Sequence, residues 1–393
     1  MKLLRYFFIL AFTPYGTFIN AQTTLNSSNL AHQYNPDSEI DLKHEVITDS
    51  DSTFIFIGLI INQSKPLLKD YTFDFFTTTA YTADLQQIAT DKIDSTYIGQ
   101  IKNQHTIRFS ISNSALLNLG AIRVQSKFSG FTYFYDFTVT DHTLAIWNSN
   151  DRIQFTSWVA PGTYHFNNST QVYGYYYNHI FPPALPPMPI REETPAKAMP
   201  IDSSFVVASG QKLTFIKHGL FLFQKDSSSQ QGKGIRVENK YYPKLAKLED
   251  LVEPLIYITT KEENMQLQNI NGDKKAFDKF WLDLTKSPDR AKSIIKNYFD
   301  RVESANRLFT SYKEGWKTDM GLIYIIFGPP DEVTKSNGEE TWLYLASPDL
   351  PKLKFNFIRT ASVFSSSHFV LVRDKSYTSS WYRAIDLWRK GRF

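Results

Sequence analysis

From residue 40 to about 139 the polar and apolar positions read as strand after strand. Residues 53–61 are apolar and β-branched. Residues 71–77 alternate aromatic and polar side chains. Ile107, Phe109 and Ile111 share one face of 105–111. Segments 121–128 and 131–138 flank Ser129-Gly130, a turn signal for a hairpin. Short strands at this spacing predict a β-sandwich over 40–139. A second β-rich unit is expected over 140–245, with strands at 153–159, 171–177, 204–207, 212–216 and 220–224. Between them, 182–189 holds five prolines in eight residues, which no central strand accepts. That segment reads as a polyproline crossover draped on the surface, or alternatively as a docked recognition ligand.

Beyond about residue 250 the period becomes helical. Ala276, Phe277, Phe280, Trp281 and Leu284 form one stripe. Ser287 is a natural N-cap, with Pro288 at the first helical position. The helix that follows is the clearest in the chain, with Ala291, Ile294, Ile295, Tyr298, Val302, Ala305 and Phe309 repeating every three or four residues. The pattern then returns to strands at 322–327, 341–345, 353–358 and 368–372. Trp381, Ile385 and Trp388 predict a terminal helix packing back. The expected fold is multi-domain: N-terminal all-β, sandwich-like units followed by an α+β domain over 250–393 with a small antiparallel sheet.

The first 21 residues change the picture of compartment. Lys2 and Arg5 precede a short apolar core at 6–12, too short to span the roughly 30 Å of bilayer hydrocarbon. Pro14 and Gly16 follow, and Ala21 suits a cleavage site, although Ile19 is larger than such sites prefer. Residues 1–21 are therefore expected to be a secretory signal peptide, and the Asn- and Ser-rich 22–39 a loose leader. No later run is long and apolar enough to span a membrane.

Composition narrows the chemistry. Aromatic residues make up 15% of the chain, mostly its 31 Phe and 22 Tyr, which favours strands. There is no cysteine, so disulfides, zinc–thiolate sites and thiol catalysis are excluded. Formal net charge is +4, falling to +2 without Lys2 and Arg5, and no basic stripe marks a nucleic-acid surface. The eight histidines are scattered. The sequence contains no H-E-x-x-H, no G-x-S-x-G elbow, no phosphate loop and no G-x-G-x-x-G. No catalytic residue, metal ligand or cofactor site is assigned.

One stretch carries a signature. Gly315-Trp316-Lys317-Thr318-Asp319-Met320-Gly321 is followed by an apolar run at 322–327 and then by Gly328-Pro329-Pro330-Asp331-Glu332. With the preceding amphipathic helices and the segment at 340–344, it resembles the GWxTD domain of exported bacterial proteins over roughly 250–390. The resemblance implies an envelope setting and no established activity.

Two readings of Gly315, Trp316, Thr318, Asp319, Gly328, Pro330, Asp331 and Glu332 stay open. In the first they are architectural. Thr318 and Asp319 fix a turn before a buried strand, Trp316 anchors it, and Gly328 to Asp331 turn the chain at the other end. In the second, Asp319, Asp331 and Glu332 line one pocket with Trp316, suited to a sugar or a cation. A straight six-residue strand would hold the two aspartates roughly 20 Å apart, which argues against a shared dyad. The expected function is a non-enzymatic exported protein of the periplasm, outer membrane or cell surface, a binding or scaffold module for an envelope protein or glycan. The alternatives are a carboxylate-dependent hydrolase of envelope glycan or peptide, and a subunit of a cell-surface assembly.

Overall fold

The computed structural model describes residues 23–139, 144–166, 170–189, 199–270, 272–365 and 367–392. The expected signal peptide at 1–21 lies outside the described residues. The chain divides into two compact units.

The first unit contains β1 (Ile40–Thr48), β2 (Ser52–Ile61), β3 (Tyr71–Thr78), β4 (Gln86–Gln87), β5 (Ile93–Ile101), β6 (Gln104–Ser112), β7 (Leu119–Ser126) and β8 (Thr132–Thr138). They form two antiparallel sheets, β1-β2-β6-β5 and β4-β3-β7-β8. Taken as strands A to G with one extra strand after C, this is the A-B-E-D and C-F-G order of an immunoglobulin-like sandwich. Alternation makes the core. Ile55, Ile57 and Leu59 of β2 and Ile107, Phe109 and Ile111 of β6 meet Phe75, Ile122, Val124 and Tyr135 of the other sheet. Glu39 is buried beside β1, where its carboxylate accepts from the hydroxyls of Tyr71 (2.6 Å) and Ser126 (2.7 Å). Burial pushes this carboxyl up. The surrounding Ser and Tyr hydroxyls outweigh that and hold it below the usual range.

The leader is not loose. Leu25 and Leu30 are fully buried, and Leu25 packs with Phe76, Tyr81 and Leu119. Sparse apolar residues in a polar run found room on the sandwich, which composition does not reveal. Thr334–Asn337 also belongs to this unit. There the Lys335 ammonium donates to Asp136 at 2.8 Å.

The second unit comprises Tyr34–Pro36, His142–Val333 and Gly338–Phe393, so the second β-rich part and the helical part form one body. Its strands begin with β9 (Ile146–Asn148), β10 (Trp158–Val159), β11 (Gly162–Phe166), β12 (Val172–Tyr177), β13 (Ser203–Val207), β14 (Leu213–Phe215), β15 (Gly219–Gln224) and β16 (Lys233–Val237). Sheets β10-β16-β15-β12-β13 and β14-β11-β9 enclose a core rich in rings, with Phe166, Phe215, Phe221 and Phe223 at its centre. The strand expected over 153–159 shrinks to β10 and one bridge at Ile153.

Helices α1 (Leu248–Val252), α2 (Lys261–Gln268), α3 (Lys274–Thr285), α4 (Pro288–Phe309) and α5 (Asp319–Phe327) follow. Then come β17 (Glu332–Ser336), β18 (Glu339–Tyr344), β19 (Leu353–Arg359), β20 (Phe369–Leu371) and α6 (Tyr377–Lys390), with β18, β19 and β20 pairing antiparallel in that order. The N-terminal half is thus strand-rich and the C-terminal part combines helices with a small antiparallel sheet. Ser287 caps α4 as its sequence implies, its Oγ accepting from the Arg290 N–H. None of the described helices is long and apolar enough to cross a membrane.

The strand expected at 322–327 is instead α5, and every residue of that helix through Ile326 is buried. Thr318 is its N-cap and Gly328, at φ 84°, ends it. The apolar run has no face to show periodicity because the whole circumference is covered. A helix rises about 1.5 Å per residue, so the strand-based separation of Asp319 from Asp331 no longer holds.

Candidate functional site

The signature begins with close backbone approach. A Cβ at Gly315 would collide with the Ala305 carbonyl oxygen and the Asn306 Cα of α4. With hydrogen there instead, the short helical turn Gly315–Lys317 lies directly on α4. Asn306, fully buried, accepts from the Trp316 N–H at 3.0 Å and donates to the Pro243 carbonyl at 3.0 Å. The Trp316 side chain is buried edge-on to Tyr257, and the Tyr257 hydroxyl donates to the Trp316 carbonyl at 2.9 Å. Thr318 closes the bend. Its hydroxyl donates to the Gly315 carbonyl at 2.7 Å and accepts from the Gly321 N–H at 3.0 Å. A Cβ at Gly321 would fall on the Gly315 carbonyl oxygen, so this second glycine is required by the same bend.

Asp319 is buried in the first turn of α5 and reaches across to β20. Its Oδ2 accepts from the Leu371 N–H at 2.8 Å. The Arg373 guanidinium pairs with both oxygens, Nη2 to Oδ1 at 2.7 Å and Nη1 to Oδ2 at 3.2 Å. Such a fork-to-carboxylate pair fixes orientation as well as charge. Residues 219–390 match the GWxTD domain family. This part of the chain is a GWxTD domain. No curated protein matches the chain.

The GWxTD match begins some thirty residues before the start expected from the motif, taking in β15 and β16. Arg236 of β16 gives the physical link. It is buried, pairs with Glu238 at 2.6 Å and Glu314 at 3.0 Å, and donates to the Tyr312 carbonyl at 3.1 Å. Burial pushes Glu314 up, but Arg236 and Lys317 more than reverse it and hold the carboxyl low. Lys317, the variable position of the signature, is buried too, 3.2 Å from Glu314 and over the Trp316 ring at 5.1 Å. The signature is therefore set in a charge network supplied by the segment just before it and by β16.

The acids that one pocket would require keep different company. Asp331 is exposed, and its Oδ2 accepts from the Leu345 N–H at 2.7 Å, fastening the turn into β17. Glu332 is exposed beside it. Pro330 and Gly328 are buried, and the Gly328 carbonyl accepts from the Tyr344 hydroxyl at 2.8 Å. Near Gly328, Arg301 donates to the Ile325 and Ile326 carbonyls at the end of α5, where positive charge suits the helix dipole.

What the sequence did not reveal is the company of Asp319. Arg373 and His368 lie about fifty residues away, with no shared motif. His368 is buried, with Nδ1 3.4 Å from the Ser311 hydroxyl and Nε2 3.2 Å from that of Tyr312. Burial, helped by the charge of Lys313, pushes its imidazole down to about 4, against a weaker pull from Asp319. Burial likewise pushes the Lys313 ammonium down, with Asp319 and Glu314 opposing. The cluster is thus a neutral imidazole between hydroxyls beside a fixed ion pair. Among the described residues no group of three His, Asp or Glu is placed to hold a metal ion.

Proposed function

We propose that the chain is an exported, non-enzymatic envelope protein, a binding or scaffold module in which β-domains carry a GWxTD domain. The observation that carries this reading is the state of Asp319. Leu371 N–H and Arg373 occupy both of its oxygens, and Thr318 is committed to capping α5. A general acid, base or nucleophile needs an atom within hydrogen-bond reach of the substrate. The signature acid offers a fork already filled. Export rests on Lys2, Arg5, the apolar 6–12 and Ala21.

Two measurements test this reading. Mass analysis of the protein from a cell envelope fraction is expected to show a chain beginning at Gln22. Full-length chain retained in the cytoplasm would refute export. Asp319→Asn is expected to change the unfolding midpoint. Were it to melt like the parent yet abolish turnover of an envelope glycan or peptide, the acid would be chemical and the non-enzymatic reading would fail.

A further inference from the structure

Residues 182–189 lie in the second unit, outside any helix or strand, with Ala184 and Pro187 buried. Five of the eight are prolines, so the segment offers eight carbonyls and only the N–H groups of Ala184, Leu185 and Met188. A surface that recognises such a chain has to donate hydrogen bonds, and arginine carries five donors and no acceptor. Arg373 meets this requirement. Its Nε donates to the Pro186 carbonyl at 3.1 Å and its Nη2 to that of Leu185 at 3.0 Å. The Asp374 N–H donates to the next carbonyl, Pro187, at 3.0 Å. The remaining donors of the guanidinium go to Asp319 and to the Leu371 carbonyl. Asp319 therefore sets the plane in which Arg373 reads two successive carbonyls. Just upstream, Phe181 is seated edge-on against Tyr312 at 5.1 Å with Arg236 over its ring.

We propose that this face of the GWxTD domain is a receptor for proline-rich peptides, filled in cis by residues 182–189, with Asp319 as the positioning residue for Arg373. The proposal rests on the reading of the chain as a binding module and names the class of its ligand. Proline-rich chains suit the role because they lose little conformational entropy on docking. A segment tethered at both ends competes at an effective concentration of the order of millimolar, so the cis occupant holds off a free peptide of equal affinity until that peptide is itself about millimolar.

The test uses the full chain with 182–189 replaced by eight Gly and Ser residues, and the labelled peptide Pro-Pro-Ala-Leu-Pro-Pro-Met-Pro as probe. Anisotropy is expected to show saturable binding to the replaced protein. Binding should be at least about tenfold weaker to the parent and to the replaced protein carrying Arg373→Met. A cooperatively melting replaced protein that shows no saturable binding up to about 1 mM peptide overturns the proposal, as does binding indifferent to Arg373→Met.

A second measurement does not depend on that variant folding. The chain has no cysteine, so Ala184→Cys in the otherwise intact protein introduces its only thiol. Its reaction with a thiol reagent is expected to quicken at least about threefold when millimolar peptide displaces the segment. An unchanged rate overturns the proposal. If both arms fail while an envelope partner still binds the parent, the receptor idea falls and the scaffold reading stands.

Discussion

Replacing Asp319 by alanine separates an architectural acid from an idle one. The side chain accepts three hydrogen bonds, two of them from a guanidinium. Hydrogen bonds to charged groups contribute roughly 1.5–3 kcal/mol each, and they do not add within one network. Breaking one side of a buried ion pair costs about 3–5 kcal/mol. Here the Asp319 side chain is 10% exposed and that of Arg373 23% exposed, so the orphaned cation recovers part of its hydration. The expected loss is therefore about 3 kcal/mol after that discount. Asp331→Ala removes the bond from the Leu345 N–H at an exposed site, a loss of about 0.5–1 kcal/mol.

The assay follows from composition. All seven tryptophans lie at position 147 or beyond and in the second unit, so their fluorescence reports that unit alone. With a urea dependence of about 2–3 kcal/mol per molar, Asp319→Ala should lower the midpoint by about 1–1.5 M. The double variant with Arg373→Met should reveal a coupling of at least about 1.5 kcal/mol. A midpoint shift no larger than that of Asp331→Ala, or additivity within about 0.5 kcal/mol, would refute the reasoning.

Gly321→Ala would drive a methyl group onto the Gly315 carbonyl and is expected to cost more than about 3 kcal/mol in the same assay; a parent-like melt would mean that α5 is not held by the bend. Tyr34→Ala should cost the second unit about 1–2 kcal/mol, since the ring packs on Trp342 at 5.1 Å and Phe309 at 5.6 Å; no shift in the tryptophan signal would show that contact to be idle. His368 titrates near 4 in the folded chain and near 6.5 when unfolded, so the unfolded state takes up the proton first. Its neutral form therefore stabilises the fold fully above about pH 6.5, and roughly 3 kcal/mol is lost as pH falls to about 4. His368→Gln should flatten that part of the profile for the second unit, and an unchanged slope between parent and variant would sink the assignment.

Local signals fixed much of this protein without any fold. Ile107, Phe109 and Ile111 alternate because one sheet face is wet and the other dry, and they form the sandwich core as that period requires. Ser287-Pro288 and the stripe from Ala291 to Phe309 specify α4 by capping and by a 3.6-residue repeat. The GWxTD signature was legible as a string. Its geometry was not. After Asp319, the run from Met320 to Phe327 carries no charge on any face, and in so short a run β-branched isoleucines mimic a strand. The Thr318 cap and the Gly328-Pro329 stop were the helix signals present, and burial on every side decided the matter. Only the tertiary structure joined Asp319 to Arg373, Glu314 to Arg236, and Tyr34 to Trp342. Charge pairing and ring packing act over a few ångströms of space and carry no memory of separation along the chain, so no local pattern announces which residue will arrive.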